Sequence, residues 1–229
     1  QGSEYFCRSL LFGGVPRRFP NLKFSFLEGG VGWASQFYNS LFEYWEKRNI
    51  DSLSTYLDPA KLNVDLLVEM FEQYGDERLT PQRIRAEPDQ PVTSMLRVSP
   101  EEVDDFSASG INKPEDIKKF FDQNFYFGCE ADDRLNVVAF NKDLNHYGAR
   151  LNAILGSDIG HWDVPDMTKV LVEAYEMVED GFITEEDFRD FTYTNVVNMH
   201  TSMNPNFFRG TIVETEAETL KSECTATVE

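Results

Sequence analysis

Three short apolar runs constrain this chain more than any other feature of it. Leu22–Leu27, Phe125–Cys129 and Leu151–Leu155 have the length and side chains of strands. Each is followed closely by a carboxylate: Glu28, Glu130 and Asp158. Each then leads into a segment with apolar residues at three-and-four spacing, which predicts a helix with one buried face. Strands alternating with helices pair in parallel through right-handed crossovers. Sites in such sheets are built from residues just past the carboxyl ends of the strands.

The remaining segments fill in the order. Tyr5, Phe6, Leu10 and Leu11 give an apolar helix side that Gly13-Gly14 ends, and Pro16–Pro20 reads as a turn. Trp33, Phe37, Leu41, Phe42 and Trp45 mark a helix ending near Lys47-Arg48. Residues 51–110 break the rhythm. Asp58-Pro59 opens a helix carrying Leu62, Leu66, Leu67, Met70, Phe71 and Tyr74, and a polar stretch with Pro81, Pro88, Pro91 and Pro100 follows. This block reads as a mostly helical insertion that covers or flanks a site, with Phe71, Tyr74 and Phe106 as a partial lid. Lys113-Pro114-Glu115 starts another helix, Leu135–Tyr147 is helical in pattern, and Met167–Val178 is the next helix. Thr184–Asp187 resembles a capping box, with Ile183 and Phe188 placed as a hydrophobic staple for a helix running towards His200. Residues 211–229 are polar, with five Glu and one Lys, and are expected to be a disordered acidic tail.

Charge narrows the partners. Forty acidic against 21 basic residues give a net charge of -19, which argues against nucleic acid or an anionic membrane. No apolar run approaches the roughly 20 residues that span a bilayer. The opening QGSEYFCRSLL lacks the basic start and apolar core of a signal peptide. Cys7, Cys129 and Cys224 are odd in number and widely spaced, as reduced thiols of a cytoplasmic protein would be.

The stretch LNAILGSDIGHWDVPDM, residues 151–167, concentrates the candidate chemistry. Asp158 can be read as a metal ligand that also holds a proton, or as an N-cap for the following turn. His161 could orient a substrate, or pack in the loop against Trp162. Asp163 and Asp166 read as helix-entry acids favoured by the helix dipole. Glu28 precedes Gly29-Gly30, where a backbone can approach a ligand closely, but it could equally be a buried, paired acid. Glu130 has the same placement, while His146 and His200 fall in or near helices. A catalytic zinc site takes about three protein ligands plus water, usually with histidine among them. Only three His occur, and HxH, HExxH and paired-Cys motifs are absent, so these residues make an incomplete site.

The runs RRFPNLKFSFLEGGVGW, ILGSDIGHWD and EEDFRDFTYTNVVNMHTSMNPNFFRGT resemble the C-terminal half of amidohydrolase-related metal-dependent hydrolases, the group that includes aminocarboxymuconate semialdehyde decarboxylase. The resemblance implies an α/β fold, the C-terminal part of a (β/α)8 TIM barrel spanning residues 1–210. It implies that Asp158 binds a divalent metal ion, zinc or else manganese, and helps activate water. His161 matches a histidine frequent after the family's Ser-Asp. Glu28 stands where the decarboxylase branch has histidine, which places hydrolysis ahead of decarboxylation.

The expected function is therefore metal-dependent hydrolysis of a small carbon-rich molecule, with Asp158 as ligand and proton acceptor and with Glu28 and His161 positioning substrate or water. The family's histidine ligands would come from the N-terminal half of the barrel, either upstream residues or another chain. A homo-oligomer is compatible with this arrangement. Two rivals stand beside it: a non-oxidative decarboxylase on the same scaffold, and a non-catalytic half-barrel that binds a partner.

Overall fold

Three parallel strands lie at the centre of the larger of two units. The computed structural model describes residues 2–86 and 99–226. The chain divides into one unit of residues 1–43 and 109–229 and a second of residues 44–108.

The first unit opens with helices α1 (Gly2–Phe12) and α2 (Val15–Arg18), then β1 (Phe24–Phe26) and most of α3 (Gly32–Arg48). It resumes with α7 (Pro114–Asn124), β2 (Phe125–Cys129), α8 (Val137–Phe140) and β3 (Asn152–Leu155). It closes with α9 (Val170–Glu179), α10 (Glu185–Arg189), α11 (Asn195–Met203) and α12 (Glu214–Ala226). The sheet order is β1-β2-β3, with Phe26 opposite Phe127 and Phe127 opposite Ala153. All three strands fall where the sequence places them, and they pair in parallel.

β2 is buried along its whole length. On one face, Phe125 and Phe127 meet Phe26, Trp33 and Phe121, with Phe37 and Tyr38 of α3 behind them and ring centroids 4.9–6.3 Å apart. Edge-to-face rings add about 0.5–1.5 kcal/mol per pair to the burial itself. On the other face Tyr126 packs with Ile154 and with Met199 of α11. Aromatic residues so dense in strand and helix alike are what the chain's nineteen Phe supply.

Asparagine amides tie the ends of the sheet. Asn152 Nδ2 donates to the carbonyls of Phe121, Asp122 and Phe125, fixing the start of β3 against the end of α7. Asn124 Nδ2 donates to Pro20 and Leu22 ahead of β1. Asn145, 2% exposed, accepts from Ser35 and Asn39 of α3 and donates to Val138 and Ala149. Arg150 pairs with Asp187 and with Asp190, and Asp187 also closes the capping box with Thr184.

The barrel expectation is overturned. Among the described residues 56% are helical and 6% are strand, with one small sheet, so the α/β reading as the C-terminal part of a (β/α)8 TIM barrel does not stand. The physical reason lies at β3. Its outer side faces a π-helical turn, Asp190–Thr194, and Asn195 Nδ2 donates to the Ala153 carbonyl at 2.8 Å. A side chain thus takes the place a next strand would need, and among the described residues no strand follows β3.

Three smaller corrections follow. Leu135–Tyr147 is not one helix: Asn141 Oδ1 accepts from the amides of Asp143 and Leu144, and the chain turns back so that Leu151 N reaches Ala139 O at 2.8 Å. Pro16–Pro20 is partly helical as α2. The segment expected to be disordered carries α12, whose Ala217 and Leu220 are buried against Val197 and flanked by Tyr193 and Phe208.

The second unit holds the last residues of α3, then α4 (Ile50–Tyr56), α5 (Val64–Tyr74) and α6 (Pro81–Ala86). Asn49 and Asn63 cap α4 and α5. Tyr44 donates to Asp105 and stacks near Phe106, which is buried, whereas Tyr74 is exposed. Pro88 and Pro91 lie outside the described residues. No helix among the described residues is long and apolar enough to cross a membrane.

Asn145→Ala strips four hydrogen bonds from a buried cluster and should lower stability by about 3 kcal/mol. Urea denaturation followed by circular dichroism measures it, and a change below about 1 kcal/mol would show that water replaces the amide.

Candidate functional site at the carboxyl ends of the strands

The last carbonyls of β2 anchor both neighbouring loops. Gly30 N donates to Gly128 O at 3.1 Å on the β1 side, and Gly156 N donates to Cys129 O at 2.7 Å on the β3 side. The sheet end is therefore held even though the loops beyond it are exposed.

Past Gly156 the chain tightens around Asp158, whose φ of 51° lies in the left-handed region. Aspartate tolerates that conformation better than most residues, because its short side chain can hydrogen-bond locally. His161 N returns to Asp158 O at 3.1 Å, and His161 Nδ1 meets Asp158 Oδ2 at 2.9 Å. Asp163 completes the group: one ligand atom from each of Asp158, His161 and Asp163 lies within 4.8 Å of the others. Asp158 is half-buried and the other two are exposed.

This loop forms one wall of a cleft of about 370 Å³ lined by Glu130, Asp132, Asp158, Asp163, Asp166 and Lys169 among others. Its charge is heavily negative. Glu130 shows the consequence: desolvation first, then the carboxylates of Asp132, Asp158, Asp163 and Asp133, push its pKa above the usual glutamate value. Asp166 goes the other way, held below the ordinary aspartate value by hydrogen bonds from the hydroxyl and amide of Thr168.

One imidazole and two carboxylates are a donor set that zinc or manganese accepts, with coordination positions left for water or substrate. The residues present fit such an ion. Asp158 and His161 are thus brought together. Asp163, read as a helix-entry acid, belongs with them instead, because α9 begins only at Val170. The Asp-x2-His-x-Asp spacing within one loop was the available signal.

Glu28 is not brought into this group. It follows β1, on the far side of β2, so about two strand spacings, roughly 10 Å, separate the two loops along the sheet. Its φ is 58°, its side chain is exposed, and it is not among the residues lining the cleft. Glu130, in contrast, lines the cleft directly.

The other histidines are held elsewhere. His146 Nδ1 contacts Asn39 Oδ1 at 2.8 Å and its ring stacks on Phe42. His200 stacks on Phe207 at 4.1 Å, and burial lowers its pKa. Cys7 and Cys129 are buried free thiols, and burial pushes Cys129 up to about 12, so neither offers a thiolate near neutral pH.

The sign of the Glu130 effect is testable. A carboxyl with a raised folded pKa favours the fold when protonated, so its contribution is present below the ordinary glutamate pKa and lost as pH rises through the folded value. Glu130→Gln should therefore flatten the fall in stability across that window. Equal pH slopes for both proteins in urea denaturation would contradict the assignment.

No protein-family model, curated protein or solved structure matches the chain, so its functional reading rests on the residues and geometry of this cleft.

Proposed function

We propose that the loop after β3, whose Asp158 and Asp163 also line the cleft, is a divalent-cation site that serves metal-dependent hydrolysis of a small organic molecule. The observation carrying this reading is the convergence of Asp158, His161 and Asp163 in one loop at the carboxyl end of a parallel strand. The resemblance of ILGSDIGHWD to amidohydrolase-related enzymes points the same way.

A bound zinc or manganese ion would supply Lewis acidity, lowering the pKa of water towards neutrality. The chain's own residues do the rest. Asp158 and His161 hold each other through the 2.9 Å contact, which sets the direction of both donor atoms. Asp163 supplies the second carboxylate. Glu130 lines the cleft beside Asp158 and Asp163, and desolvation and the neighbouring carboxylates push its pKa above the usual glutamate value. Glu28, at the same end of the sheet but across β2, would act on an extended substrate and not on the cation.

The crowd of acids favours hydrolysis over decarboxylation. A substrate carrying its own carboxylate would meet Glu130, Asp132, Asp163, Asp166 and Glu173, with Lys169 as the basic residue lining the cleft. Neutral esters or amides meet no such repulsion.

The test uses the full chain, stripped with chelator and reloaded with zinc, against a panel of neutral p-nitrophenyl esters and anilides. Zinc-dependent turnover should appear. Asp158→Asn should lower it by about 100-fold or more while the far-ultraviolet dichroism stays unchanged. Turnover that ignores zinc, or that survives Asp158→Asn, would contradict the reading.

A further inference from the structure

A second cavity, of about 320 Å³, lies where the chain enters β3. It is bounded by the second half of α7, by the residues leading into Asn152, and by the segment from Asp190 to Asn198. The acidic cleft lies beyond the other end of that strand, past Leu155, and the two share no lining residue. Part of the wall is the π-helical turn Asp190–Thr194, in which Asn195 N donates to Asp190 O, five residues back. Turns of this kind are rare and frequently accompany functional sites.

The charges in this wall cancel. Lys118 pairs with Asp122, and Arg150 pairs with Asp190 at 2.8 Å and with Asp187. The side chains of Lys118, Asp122, Arg150 and Asp190 are between 21% and 36% exposed, so they are sheltered but within reach of a small molecule. The hydrogen-bonding capacity, in contrast, is not used up. Among the described residues the Asn198 side chain makes no hydrogen bond, and Asn195 commits Nδ2 to Ala153 O while its Oδ1 has no partner. Thr194 Oγ1 and Arg150 Nε are buried without a hydrogen-bond partner, which is unfavourable for any polar atom.

We propose that this cavity binds a neutral polyhydroxylated molecule of monosaccharide size. Each charged group of the wall already holds an opposite charge, so an anion or a cation would have to break an existing pair to enter. A hydroxyl donates and accepts through one oxygen. Several on one ring match a wall that alternates carboxylate and amide oxygens with amide, ammonium and guanidinium N–H groups. Phe140 adds an apolar surface for the ring's C–H groups. The volume lies at the low end of the roughly 300–1,000 Å³ typical of small-molecule sites, which limits the guest to about one sugar ring. This site does not depend on the cation site after β3.

Saturation-transfer difference NMR of the full chain with glucose, galactose, mannose and myo-inositol tests this, because it detects weak binding. At least one of the four should bind. Asn198→Leu removes an amide that the chain itself does not use, and Thr194→Val removes an unpaired hydroxyl at nearly constant shape. Each should weaken that binding by at least about tenfold while the melting temperature holds. Glucuronate and glucosamine, which carry a charge on the same ring, should bind more weakly than glucose, and Asp158→Asn should leave the binding unchanged. Four outcomes would overturn the proposal: no binding of any of the four, equal binding by both cavity variants, tighter binding of glucuronate or glucosamine than of glucose, or loss of binding in Asp158→Asn.

Discussion

The burial of β2 is the constraint on which the rest of the first unit depends. A strand covered on both faces must be apolar on both, and Phe125–Cys129 is: Phe125 and Phe127 go to the aromatic cluster, Tyr126 to Ile154 and Met199. Its main chain then carries the loops. Gly128 O and Cys129 O accept from Gly30 N and Gly156 N, so the loop after β1 and the loop after β3 are both fixed to the same buried strand. The candidate site inherits its position from those hydrogen bonds, and its exposure from the absence of any covering element in the same unit among the described residues.

That site is built against its own electrostatics. Asp158, Asp163, Asp132 and Glu130 crowd one cleft, and Asp158 adopts a left-handed backbone conformation at a cost of about 1 kcal/mol. Stability alone gives no reason for such crowding, and the raised pKa of Glu130 is its visible consequence. A divalent cation would offset several of these charges at once, and the imidazole of His161 supplies the nitrogen donor that an all-carboxylate cluster lacks.

The strands were legible because their signal is local. Leu22–Phe26 alternates apolar and polar residues, and short runs of Phe, Tyr, Ile and Leu bounded by Gly and Asn leave few alternatives to a strand. Asn152, the polar residue within Leu151–Leu155, clamps β3 to α7. Closure was not legible, because it depends on what meets the outer edge of β3, and the sequence does not mark Asn195 as the group that does. Leu135–Tyr147 misled for a related reason. Leu135, Val138, Ala139 and Leu144 have helical spacing, but Asn141 and Asn145 divert the chain into turns. Within the site, Asp158 and His161 were legible as neighbours three residues apart in one loop. Asp163 was not, because an acid two residues before Pro165 reads as the entrance to a helix that in fact begins at Val170. Glu28 shared the strand-end signal with Asp158, and the strand order separates them.

The central claim is that Asp158, His161 and Asp163 together hold a metal ion. X-ray absorption at the zinc edge, on the full chain loaded with one equivalent, tests it most directly. The account predicts a light-atom shell at about 2.0–2.2 Å that includes imidazole scattering, which disappears in His161→Ala. A sulfur shell near 2.3 Å, or imidazole scattering unchanged in that variant, would contradict it.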